Sequence, residues 1–90
     1  MAIGNLEVGS YTNKTSSGNI KSGQGAMLGF YVNSTSSGTI AFYDDAGTGT
    51  TTAITGTITP SVGWNFLPVA FANGLNAVIG STLNVTIVWV

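Results

Sequence analysis

The chain has 90 residues, a formal net charge of −1, no cysteine and no histidine, and 6% charged residues where an average soluble domain has about 25%. That composition excludes disulfides, thiolate metal centres and imidazole acid–base chemistry, and two lysines without an arginine cannot neutralise a nucleic-acid backbone. One domain of this size buries only about 60–65% of its unfolded surface, so the core is small and the polar surface is built from neutral Thr, Ser, Asn and Gly.

The N-terminal residues Met1-Ala2-Ile3-Gly4-Asn5-Leu6-Glu7 lack a basic stretch followed by an apolar one, and no apolar run approaches the ~20 residues of a membrane span. The expectation is a soluble chain made in the cytoplasm, without a membrane partner. Residues 1–12 are a candidate N-terminal arm.

From Leu28 onward the apolar residues recur at every second position. Leu28, Phe30 and Val32 share one strand face; Asn33-Ser34-Thr35-Ser36-Ser37-Gly38 reads as a turn, and Ile40 and Phe42 lie on a returning strand, which together predicts a hairpin. Asp44-Asp45-Ala46-Gly47-Thr48-Gly49 is a further turn. A strand over residues 52–59 carries Ile54 and Ile58 in phase, and another over 63–72 carries Trp64 and Phe66, then Leu67, Val69 and Phe71. The change of phase at Leu67-Pro68 signals a β-bulge or a sheet edge, because proline cannot donate to a ladder. Asn73-Gly74 predicts a type I′ turn, residues 77–80 a short strand, and Leu83, Val85, Ile87 and Trp89 one face of the last strand.

Helix periodicity is absent throughout. Seven or eight short strands spaced by turns predict an all-β fold, an antiparallel β-sandwich of jelly-roll-like character in a single domain spanning residues 1–90. One internal similarity stands out: Asn13-Lys14-Thr15-Ser16-Ser17-Gly18-Asn19-Ile20 recurs as Asn33-Ser34-Thr35-Ser36-Ser37-Gly38-Thr39-Ile40, read as two equivalent polar turns feeding strands.

Any catalysis would rest on Glu7, Asp44 and Asp45. The two aspartates are neighbours, so on a strand they point to opposite faces and cannot flank one bond; a solvated turn is the plainer reading. The same segment lacks the alternating acids of a calcium loop, and Gly47-Thr48-Gly49-Thr50-Thr51-Thr52 lacks the lysine and following helix of a phosphate loop. The three Asn-X-Thr sequons, at Asn13, Asn33 and Asn84, are what so Asn- and Thr-rich a chain produces by chance. No enzyme activity, metal or cofactor is expected. Trp64, Phe66, Phe71, Tyr31, Tyr43 and Trp89 could stack on sugars, but their strand phases favour a core or a subunit interface.

The run Gly29-Phe30-Tyr31-Val32-Asn33-Ser34-Thr35-Ser36-Ser37-Gly38-Thr39-Ile40-Ala41-Phe42-Tyr43-Asp44, followed by Ile58-Thr59-Pro60-Ser61-Val62-Gly63-Trp64 and Leu67-Pro68-Val69-Ala70-Phe71-Ala72-Asn73-Gly74-Leu75, resembles a pattern of small tailed-phage virion structural proteins. It covers roughly residues 25–90. The resemblance implies a compact β-sandwich carried in many copies on the virion, of the kind of capsid decoration (cement) proteins that clamp capsomers together. The partners it implies are the major capsid protein and the chain itself, as a homotrimer or homodimer, on the capsid surface. The alternative is a tail or fibre component that binds a receptor or glycan. The candidate assembly interface is Ile3, Leu6, Tyr31, Tyr43, Trp64 and Phe66.

Overall fold

The computed structural model describes residues 9–90. Among them there is no helix, and five strands form one antiparallel sheet: β1 (Ser10–Lys14), β2 (Gly18–Ser22), β3 (Gly25–Tyr43), β4 (Gly63–Phe71) and β5 (Gly74–Trp89). The order is β1-β5-β3-β4, with β2 also paired to β5, so β1 and β2 lie end to end along one side of β5 and β3 lies along the other. Two isolated bridges, Ile40 to Ile58 and Tyr43 to Ala53, attach the 53–58 segment to β3.

The strand count is lower than the expected seven or eight because pieces separated by turn-like residues are continuous. The hairpin expected around residues 33–38 does not form. Both halves of the 19-residue β3 pair with the 16-residue β5, and the Ser/Thr/Gly stretch is a bend inside one strand. Likewise the expected strands at 77–80 and 83–90 are one. The segment 52–59 makes only bridges, and Asn73-Gly74 is not a type I′ turn, since neither residue has positive φ. It joins β4 to β5, which are not ladder partners, so no hairpin geometry selects the turn.

The bend has a visible cause. Three register shifts, at Met27/Gly29, Val32/Ser34 and Ser36/Ser37, give β3 more chain than β5 over a shared ladder, and surplus residues on one strand force it to curve. Ser37 and Ser81 take left-handed φ values of 56° and 57° at the bend. The consequence is measured by two rings. Phe30 and Phe42 stand twelve positions apart, about 40 Å along a straight strand, yet their centroids are 5.4 Å apart. The sheet therefore turns its inner face onto itself. Met27, Phe30, Val32, Val85 and Ile87 from one half and Ile40, Phe42, Leu75 and Ala77 from the other form one buried core, with Leu83 near the bend.

The internal repeat acquires a structural meaning here. Its two copies flank β5, one across the β1–β2 junction and one within β3, and both cross the bend in the same direction. Asn13 and Asn33 occupy matching places, each donating from Nδ2 to Asn84 Oδ1 (2.9 and 3.1 Å) and to Thr86 Oγ1 (3.1 Å in both). These segments are bends in passing strands, not separate turns.

The bulge signal at Leu67-Pro68 coincides with a register shift between β3 and β4, and β4 is the last strand in the order. Leu28, expected in phase with Phe30, is the extra residue of β3 where its register shifts against β5, and Met27 takes the core position.

Candidate interaction surface

A bent sheet has two outward faces, one on each half. On the half formed by β2, the start of β5 and the end of β3, the outward residues Ala41 and Asn76 are buried, and the chain's own 44–52 loop lies against Asn76, Asn19 and Ser22. Asn76 Nδ2 donates to Gly49 O at 3.0 Å, Asn19 Nδ2 donates to the carbonyls of Asp45 and Gly47 (3.2 and 2.7 Å), and Ser22 Oγ donates to Ala46 O at 2.7 Å.

The two aspartates hold that loop and its neighbour. Asp44 accepts from the backbone N–H groups of Ala72, Asn73 and Gly74 at 2.9, 2.7 and 3.2 Å, and those of Ala72 and Asn73 hold its carboxyl below the ordinary 3.8. Asp45 Oδ1 accepts from Gly47 N and Gly49 N. Both carboxylates are thus occupied as backbone caps. The open groove of about 450 Å³ beside Asp44, lined by Gln24, Gly25, Ala70, Phe71 and Ala72, holds no second titratable side chain. Among the described residues no three His, Cys, Asp or Glu side chains gather as a metal would need. Glu7 lies outside the described residues.

Among the described residues, nothing lies over the outward face of the other half. Cross-strand partners project to the same side, so the register lays out two rungs: Asn13, Thr86, Tyr31 and Trp64 in one, and Tyr11, Val88, Gly29 and Phe66 in the next. Tyr11 is 77% exposed, Phe66 73%, Trp64 48% and Tyr31 46%. Gly29 is required beneath them. A Cβ there would meet the backbone oxygen of Asn65 and would sit 2.9 Å from the Trp64 ring, so the indole lies across the glycine and fills the place of its missing side chain. The Asn13–Asn84–Asn33–Thr86 network continues the face toward the bend as a neutral polar strip.

No family model, curated protein or solved structure matches this chain. Of the expected interface, Tyr31, Trp64 and Phe66 come together on the bare face. Tyr43 stands at the other end of β3, opposite Asn76 and half-buried, and Ile3 and Leu6 lie outside the described residues. Tyr11 completes the group; as the lone apolar side chain among Gly9, Ser10, Thr12, Asn13 and Lys14 it gives no alternation that would single it out in the sequence. Of the six aromatics considered for sugar stacking, Phe71 is buried in the core. Trp89 packs against the core, donates from Nε1 to Thr12 Oγ1 at 3.1 Å, and carries the Lys21 ammonium 5.4 Å from its ring centre.

With aromatic side chains offering ~150–250 Å² each, the four exposed rings present about 370–610 Å². That is the size of the largest apolar patch on a monomer, ~300–600 Å², which is often functional.

Proposed function

We propose that this chain is a non-catalytic structural protein of a phage particle, a capsid decoration (cement) protein that binds the outer shell and stabilises it. The observation that carries the reading is the uncharged aromatic face of Tyr11, Tyr31, Trp64 and Phe66, uncovered among the described residues, while the chain's own loop lies against the outward face of the other half. Four rings on a hydrogen-bonded sheet are rigid and lose little side-chain entropy on docking, which suits contact with a flat protein surface. The face carries no ion that docking would have to desolvate. Binding that favours the assembled shell stabilises it by mass action and needs no reactive group.

In this reading the folded sheet acts as a β-sandwich whose two layers are its own halves, stacked through Phe30 and Phe42. Its partners are the major capsid protein and further copies of the chain. The phage assignment itself rests on the sequence resemblance.

The test is the amount of this chain relative to the major shell protein in purified particles, by mass spectrometry with labelled peptide standards. Copies comparable in number to the shell subunits support decoration. A handful per particle moves the chain to the tail or fibre, and absence overturns the virion reading. Phe66→Ser and Tyr11→Ser should lower occupancy on the particle without unfolding the protein.

A further inference from the structure

The sheet has two unlike edges. One is made by β1 and β2, each carrying a lysine, Lys14 and Lys21. Edge lysines are a standard defence against strand-to-strand pairing between copies, since pairing would bring like charges together. The other edge is β4, nine residues long and paired only with β3 among the described residues. No charged residue occurs anywhere from Ala46 to the C-terminus, so nothing electrostatic opposes a partner strand there. Its interruption is the bulge at Leu67-Pro68, which leaves residues 63–66 as a continuous stretch in register with β3.

We infer that β4 pairs with β4 of a second copy, antiparallel about a two-fold axis centred near Asn65, to join two sheets into one. The chemistry favours a copy of the same chain because an uncharged edge is matched by an uncharged edge, and antiparallel pairing about a two-fold is self-complementary and closes at two subunits. In this register Trp64 of each copy stands directly opposite Phe66 of the other on the bare face. Cross-strand aromatic pairs are among the contacts that stabilise a sheet. The axis is perpendicular to the sheet, so the two aromatic faces become one doubled face on the same side of the dimer. This deepens the contact-domain reading, which supplies the use of that doubled face, but the pairing itself is tested without any particle.

The experiment is sedimentation equilibrium of the full chain and of two single variants, Phe66→Lys on β4 and Tyr11→Lys on β1. Both sites are highly exposed on the same face, so both variants should fold, as circular dichroism will verify. The wild type is expected to dimerise at concentrations up to roughly 100 µM, and Phe66→Lys to raise the dissociation constant by about tenfold or more. Tyr11→Lys should leave it within about twofold. Hydrogen exchange of amides 63–66 should slow as concentration rises. A monomeric wild type, or equal loss of dimer in both variants, overturns edge pairing; the second result would indicate face-to-face packing. Failure of shell binding with the dimer intact would instead count against the decoration reading alone.

Discussion

The fold-over of the sheet makes a prediction that no straight strand could satisfy. Phe30 and Phe42 lie in the same strand, twelve positions apart, and both are buried with ring centroids 5.4 Å apart. Replacing either by Leu keeps the site apolar but removes a ring, and should cost about 1–1.5 kcal/mol. Full truncation to Ala would cost roughly 3–5 kcal/mol each, which a domain of this size cannot sustain twice. The double variant Phe30→Leu/Phe42→Leu should therefore be measured beside the two singles by urea denaturation at constant m-value. Contacting aromatic pairs contribute about 0.5–1.5 kcal/mol beyond their area, so the double variant should be less destabilised than the sum of the singles by about that amount. Residues farther than about 10 Å apart add within ~0.5 kcal/mol. Additivity at that level would refute the bend, because it would mean the two rings do not touch.

Other outcomes follow from single features. Ser81→Gly, at a left-handed φ of 57°, should raise stability by about 0.5–1 kcal/mol, whereas Ser81→Val should lower it by more than ~1 kcal/mol; urea midpoints measure both. Gly29→Ala should destabilise by roughly 1–3 kcal/mol and shift tryptophan emission, since the new Cβ collides with the β4 backbone and the Trp64 ring. Asn13→Ala and Asn33→Ala should each cost about 1 kcal/mol, because the two amides make matching bonds to Asn84 and Thr86, with Asn13 costing at least as much since it also donates to Val85 O; a clearly larger loss at Asn33 in urea midpoints would deny the match. Asp44 has a folded pKa depressed by its backbone N–H donors, so its stabilisation is present above the ordinary 3.8 and lost as pH falls through the folded value. The stability gap between wild type and Asp44→Asn should accordingly be constant near neutrality and close only in strong acid, as denaturation midpoints across pH will report.

The all-β character was legible because it depends on local alternation alone. Leu83, Val85 and Ile87, read as one strand face, are the buried row of β5, and Ile40 and Phe42 were rightly assigned inward. Composition also sufficed to show how little charge the surface carries. What sequence could not distinguish was a turn from a bend: Asn33 to Gly38 has turn chemistry, and only the ladder to β5 on both sides keeps β3 continuous. Nor could it tell which outward face would be covered. Tyr31 and Tyr43 have the same residue type and the same phase, yet Tyr43 lies on the half overlaid by the 44–52 loop and Tyr31 on the open one. Alternation along a strand specifies a side of the sheet. Which side meets the core, a loop or open solvent depends on long-range pairing, and here that pairing decided where the sheet folds.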